Sequence, residues 1–237
     1  MKKETAKTVI IVTLFAIAMG ILEAAVVVYL RNLFYPAGFA FPLVGFIEPS
    51  ILSVEWIREF ATIVMLITIG MLAGKRLYDK FAYFIYAFAI WDIFYYIWLK
   101  VVLDWPISII TWDILFLIPW PWAGPVLAPV LCSILMIITA FIILSANKKM
   151  APLGIDAILV VVGMILVLFT WIYDYGALII SNGFAKDFFT LTNNSQFYQV
   201  IGSYSPDYYN WPLFLIGFAM SSIGVLLFYI KNRPQNK

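Results

Sequence analysis

Six apolar segments, each long enough to cross a lipid bilayer, constrain this chain more than any other feature. A transmembrane helix needs about 20 mostly apolar residues, and six stretches meet that length: 8–30, 54–74, 81–103, 124–145, 154–174 and 211–230. The 237-residue chain is 64% hydrophobic and 12% charged, whereas soluble domains are roughly 45–50% apolar and 25% charged. We therefore predict an all-α, polytopic membrane protein that forms a single integral-membrane domain, 1–237.

A seventh apolar run, 107–119, lies between the third and fourth spans and is too short to cross a bilayer. The sequence Trp-Pro-Trp follows it at 120–122, and such prolines interrupt a helix. We predict that this run is a re-entrant or interfacial segment. A possible short helix at 185–201 is the other element expected in the loops.

Lysine and arginine are distributed unevenly between the two sides that six spans define. Cytoplasmic loops of membrane proteins carry an excess of these residues. Eleven of the 15 fall on the side that holds both termini: Lys2, Lys3, Lys7, Lys75, Arg76, Lys80, Lys148, Lys149, Lys231, Arg233 and Lys237. We therefore predict a multi-pass protein of the inner or plasma membrane with both termini in the cytoplasm. The first span is expected to be retained, because its apolar run continues past Glu23 without a signal-peptide cleavage site.

Several ionisable residues lie inside these apolar segments. Asp92 is near the centre of the third span, where a carboxylate costs roughly 2.5–3.5 kcal/mol on insertion scales. Glu23 shares a helix face with the small residues Ala16 and Gly20, which let a neighbouring helix approach closely. Glu23 is therefore expected to point into the bundle. A buried carboxylate of this kind needs either a partner or a function.

The candidate ligand-binding residues all belong to the half of the protein predicted to face outside. They are Glu23, Arg58, Glu59, Asp92, Tyr95, Tyr96, Lys100, Asp113 and Asp174. If they converge, they form an acidic, aromatic-walled cavity, with the segment around Asp113 as a lid. The alternative is structural ion pairing between helices. Lys100 is expected to reach the interface, and Glu55 to be an ordinary charge at a helix end.

Missing residue types exclude several chemistries. The chain has no histidine, which removes His-ligated haem, zinc and copper sites and every Ser-His or Cys-His nucleophile pair. A single cysteine, Cys132, cannot form a disulfide within the chain. We expect no cofactor, and Mg²⁺ or Ca²⁺ only if the protein is an enzyme. The net charge of +2 does not indicate a nucleic-acid partner.

Three functions remain open. The first is binding or transport of a small molecule or ion, with Asp92 and Glu23 as the central carboxylates. The second is a membrane-embedded enzyme acting on a lipid or lipid-linked substrate at the outer leaflet. The third is an accessory subunit of a membrane complex. The near absence of polar residues in the inner half counts against transport, because a transporter needs a second gate there. Beyond the lipid bilayer, partners, ligand identity and oligomeric state stay open.

Overall fold

The computed structural model describes residues 3–43, 49–146, 151–152, 154–184 and 195–233. Within these ranges the chain is mostly helical. In chain order the elements are α1 (Lys3–Phe34), α2 (Pro49–Ala73), α3 (Leu77–Leu103), β1 (Trp112–Phe116), β2 (Trp122–Pro125), α4 (Leu127–Ser145), α5 (Ile155–Ser181), α6 (Ser195–Ser203) and α7 (Trp211–Asn232).

Six of these helices, α1 to α5 and α7, are long and apolar enough to span a membrane. This confirms the predicted spanning helices, and the chain is an integral membrane protein. Five of the six, all except α4, extend beyond their predicted bounds at one end or both, and α1 and α5 end four and seven residues later than predicted. Helix α1 continues to Phe34 and stops where Pro36 disfavours helical backbone in the preceding residue. Helix α5 continues to Ser181, just before Gly183, which has a positive φ of 76° and suits a helix end.

The segment between α3 and α4 departs from the all-α prediction because it contains an antiparallel hairpin. Strand β1 pairs with β2 in a register that places Trp112 opposite Pro125 and Ile114 opposite Ala123. The prolines between the strands disfavour helix and leave the backbone extended. Because residues 124 and 125 belong to β2, α4 begins at Leu127 rather than at 124. The depth of this hairpin in the bilayer stays a prediction.

Helix α6 occupies the last part of the predicted short helix at 185–201. The structure places it at Ser195–Ser203, and residues 185–194 lie outside the described ranges. It packs near the end of α5 through Phe197 and Ile201, which join Tyr175 and Ile179 in one apolar cluster. We call this side of the bundle, with the hairpin and α6, the hairpin end. We call the opposite side, where Lys3 and Arg233 lie, the terminal end.

Helix α3 is the centre of the bundle and packs against α1, α2 and α4, whereas α5 packs mainly on α7. Small residues allow the helices to approach closely both where α1 meets α3 and where α5 meets α7. A Cβ added at Gly20 of α1 would lie 3.2 Å from the Trp91 carbonyl oxygen of α3. Gly163 of α5 similarly lies against Gly217 of α7. The close approach of α1 to α3 follows the predicted small-residue stripe and turns Glu23 toward the interior.

Candidate ligand-binding site

A cavity of about 80 Å³ opens at the hairpin end, between α1, α2, α3 and β1. One water molecule needs roughly 10–15 Å³ on the same measure, so the space holds several waters or a small polar group. Its ionisable and phenolic lining residues are Glu23, Arg31, Tyr35, Glu55, Arg58, Glu59, Asp92, Tyr95, Tyr96 and Asp113. Strand β1 and Leu117, which follows it, form one wall. The predicted lid segment therefore borders the cavity.

Arg58 on α2 binds two carboxylates from different helices. Its Nη2 donates to Glu55 Oε2 at 2.5 Å, and its Nε donates to the same oxygen at 2.9 Å. Its Nη1 donates to Glu23 Oε1 on α1. Thr62 Oγ1 donates to the other Glu23 oxygen at 3.4 Å. One guanidinium thus compensates two carboxylates and bridges α1 to α2.

A second ion pair joins the end of α1 to the hairpin. Arg31 Nη2 donates to Asp113 Oδ1 at 2.9 Å. The guanidinium carbon of Arg31 also lies 3.7 Å from the centre of the Trp105 ring and 4.4 Å from that of Phe39, within the range of cation–π interactions. Arg31 and Asp113 are only 7% and 2% exposed. This pair therefore fixes β1 over the cavity through buried contacts.

Two further carboxyls line the cavity without forming an ion pair among the described residues. Glu59 accepts the backbone N–H of Leu117 at 2.9 Å, and Asp92 accepts the hydroxyl of Ser133 at 2.8 Å. Five carboxyls and two guanidiniums line the cavity in all. When every group is ionised, the lining therefore has an excess of negative charge.

The two phenols predicted to accompany Asp92 also line the cavity. The Tyr95 and Tyr96 rings meet edge to face, with centroids 4.9 Å apart. Their hydroxyls lie close enough to the Asp113 carboxylate to help lower its pKa. They do not reach hydrogen-bonding geometry with Asp113 Oδ2. The phenols thus connect the polar groups of α3 with those of the hairpin.

Asp113 lies on β1, outside the spanning helices, and its pKa is raised to about 6. Burial is the largest cause, because removal from water disfavours the charged carboxylate. The Arg31 guanidinium, the Ile114 backbone N–H and the Tyr96 and Tyr95 hydroxyls act in the opposite direction. Asp113 therefore changes its charge close to neutral pH, in the wall of the cavity.

Seven of the nine sequence-predicted residues meet in this cavity, and two do not. The seven are Glu23, Arg58, Glu59, Asp92, Tyr95, Tyr96 and Asp113. Lys100 lies at the surface, where its Nζ is 2.7 Å from Asp104 Oδ1, and it lowers the pKa of that exposed carboxyl. Asp174 interacts instead with the Tyr204 hydroxyl. A ligand-binding role for any of the nine stays a prediction.

Sequence reasoning missed Arg31 and Glu55. A first span that ends at residue 30 places Arg31 in a loop, yet Glu23, Val27 and Arg31 follow a four-residue helical spacing on one face. The position of Glu55 near the start of the second span predicts an ordinary charge at a helix end, but the residue is 3% exposed. Its spacing of three to Arg58 marks the same surface. Helical periodicity continued past residue 30 would have found Arg31, and the spacing to Arg58 within the second span would have found Glu55.

Structural ion pairing, the alternative raised from the sequence, explains only part of this arrangement. It accounts for the groups bound to Arg58 and Arg31, but not for Glu59 and Asp92 or for the open space between them. Within the described ranges, no three acidic or cysteine side chains group closely enough to hold a metal ion. No family model, no curated protein and no solved structure matches this chain.

Proposed function

We propose that this protein binds a small cationic group in the cavity at its hairpin end, on the outer side of a cell membrane. The main support is the charge of the lining: five carboxyls face two guanidiniums. Among the described residues, Glu59 and Asp92 accept hydrogen bonds from neutral donors, the Leu117 backbone N–H and the Ser133 hydroxyl. A positive ligand would supply the missing charge. Opposite charges attract more strongly in a partly dry cavity than in water.

Aromatic side chains make the cavity more suitable for an organic cation than for a bare metal ion. Trp91, Tyr95 and Phe116 lie in its lining. Aromatic faces attract organic cations by about 0.5–2 kcal/mol each, depending on desolvation. A quaternary or alkyl ammonium group combines a positive charge with apolar surface, and so it can use both the carboxylates and the rings.

Binding is better supported than transport through the bundle. Toward the terminal end, α1 to α4 pack into an apolar cluster of buried residues that includes Val12, Ala16, Leu66, Ala87 and Ala140. A cation moving inward would have to lose its hydration without polar partners in this packed layer. We therefore retain the binding part of the transport hypothesis.

A second candidate is an enzyme acting on a lipid. The observation in its favour is that α1 and α2 make few direct contacts, while the Glu23–Arg58 ion pair joins them at the cavity. A lipid headgroup could enter between these helices from the bilayer, where carboxyls and phenols could act as acids or bases. The accessory-subunit hypothesis has no comparable support among the described residues.

The proposal is tested with choline and its uncharged isostere, 3,3-dimethylbutanol. Both molecules have the same shape and apolar surface, so only the charge differs. We expect purified protein to bind choline at least tenfold more tightly, since tenfold corresponds to only 1.4 kcal/mol. Isothermal titration calorimetry would measure both affinities. Equal binding of the two molecules, or no binding of choline, would show that the cavity is not a cation site.

The affinity for choline should depend on pH through Asp113. Its pKa of about 6 means that the cavity gains one negative charge as pH rises from 5 to 7. A second charge a few ångströms from the ligand is worth on the order of tenfold in affinity, so binding should strengthen over that interval. Asp113→Asn should remove this part of the pH dependence. An affinity that weakens with rising pH would contradict the assignment.

The predicted orientation can be tested by cysteine labelling in intact cells. Cys132 is buried and can be replaced by alanine to give a background without cysteine. We expect a membrane-impermeant maleimide to label Lys100→Cys at the hairpin end and to leave Lys75→Cys, at the terminal end, unlabelled until the cells are opened. Both lysines are well exposed, with side chains 51% and 89% accessible. The reverse pattern would place the cavity on the cytoplasmic side.

A further inference from the structure

The Arg31–Asp113 pair leaves one polar atom of each partner unused. Arg31 Nη2 and Asp113 Oδ1 bind each other, but Arg31 Nη1 and Asp113 Oδ2 have no hydrogen-bond partner among the described residues. The Tyr35 hydroxyl, which also lines the cavity, is in the same situation. Together with Trp91 Nε1, four buried polar atoms that lack a hydrogen-bond partner among the described residues therefore belong to residues that line one cavity.

Such atoms are uncommon in folded proteins, because buried polar groups nearly always have partners. Both charged residues are more than nine-tenths buried, and the Trp105 and Phe39 rings cover the guanidinium. Bulk water therefore has little access to Arg31 Nη1. A guanidinium N–H in this position is suited to an anionic oxygen, with which it forms a strong, charge-assisted hydrogen bond.

The cavity thus presents two kinds of binding group. Arg31 offers a positively charged donor beside the hairpin, whereas Glu59 and Asp92 offer carboxyls that form no ion pair within the described part of the chain. All of these groups line the same cavity. A ligand with a single charge would use only one of the two kinds of group.

We propose that the ligand is a zwitterion in which a phosphodiester oxygen binds Arg31 Nη1 and an ammonium group binds near Glu59 and Asp92. This inference rests on the proposed cation site and adds the second half of the ligand. Phosphodiester-linked ammonium groups occur both as lipid headgroups and as soluble glycerol phosphodiesters. The neighbouring Asp113 can accept a proton, because burial raises its pKa to about 6. Its Oδ2 then becomes a second donor toward the same phosphate.

The test compares choline with glycerophosphocholine, which has the same ammonium group and adds a phosphodiester. We expect the wild-type protein to bind glycerophosphocholine about tenfold more tightly. In the double variant Arg31→Gln/Asp113→Asn both charges of the pair are removed, and the ratio of the two affinities should fall to about one, whatever the change in the affinity for choline itself. The matched control is Lys100→Gln/Asp104→Asn, which removes an exposed pair of the same signs. The control should keep the preference.

Each result separates this inference from the proposed function. If wild-type protein binds both molecules equally, or if Arg31→Gln/Asp113→Asn still prefers glycerophosphocholine, the inference of a zwitterionic ligand is wrong. The proposed cation site is not contradicted by either result. If neither molecule binds, the cation site is wrong as well. If the double variant fails to fold, the affinities of the wild-type protein for choline and glycerophosphocholine still test the inference.

Vesicles identify the source of the zwitterion. If vesicles of phosphatidylcholine displace bound choline, and vesicles of phosphatidylglycerol with the same acyl chains do not, the ligand is a lipid headgroup. If only glycerophosphocholine competes, it is a soluble diester. Failure of all three to compete would overturn the inference.

Discussion

Replacing Arg58 with alanine is expected to lower the free energy of unfolding by about 3–5 kcal/mol, because it leaves buried carboxylates without their cation. Glu55 and Glu23 both bind this guanidinium, and their side chains are only 4% and 12% exposed. Without it, the two carboxylates would repel each other in a space of low polarity. Thermal unfolding of the purified protein in detergent would measure the loss.

A matched control is Lys100→Ala, which breaks an ion pair whose partners are 51% and 92% exposed. Exposed pairs typically contribute between 0 and about 1 kcal/mol, so this variant should be nearly as stable as the wild type. Adding Glu23→Gln and Glu55→Gln to Arg58→Ala should restore much of the stability, because no buried charge is then left alone. An Arg58→Ala protein that unfolds like Lys100→Ala would contradict the assigned compensation.

Replacing Glu59 and Asp92 together with their amides is expected to weaken choline binding by about a thousandfold or more. Truncating one partner of a buried charge pair costs roughly 2–5 kcal/mol, and a factor of a thousand corresponds to about 4.2 kcal/mol for the two sites. The changes Glu59→Gln and Asp92→Asn keep the size and the hydrogen-bonding capacity of both side chains. Binding should therefore fall without unfolding the protein.

The control for this double variant is Asp104→Asn with Asp207→Asn, which removes two exposed carboxylates from loops at the hairpin end. It changes the net charge by the same amount but leaves the cavity intact. We expect its affinity for choline to remain within a few-fold of the wild-type value. If both double variants bind choline equally well, the cation is held elsewhere or attracted only by the overall charge.

The spanning helices were predictable because the bilayer imposes a length and composition that few other structures meet. Their ends were less predictable, since hydropathy marks the apolar length while backbone breakers such as Pro36 and Gly183 determine where the helix stops. The hairpin was not predicted at all. Its pairing depends on contacts such as Ile114 opposite Ala123, which a short apolar run with prolines does not specify.

The site was partly predictable for similar reasons. Glu23 and Asp92 are conspicuous because charge inside an apolar run is expensive, and the structure does turn both toward one cavity. Arg31 was not conspicuous, because it lies at the end of a helix where arginine is ordinary. Its role depends on Asp113, 82 residues away, and sequence spacing alone does not reveal such a contact. Lys100 and Asp174 looked similar to the others but face different surroundings.

The most direct test of the cation site is a crystal structure obtained with (2-bromoethyl)trimethylammonium, whose bromine can be located by anomalous scattering. We predict one bromine peak inside the cavity, with the ammonium group beside Glu59 and Asp92 and against the aromatic lining. A cavity that holds only water at saturating concentrations of this probe, or a peak found only outside it, would contradict cation binding as the function of this protein.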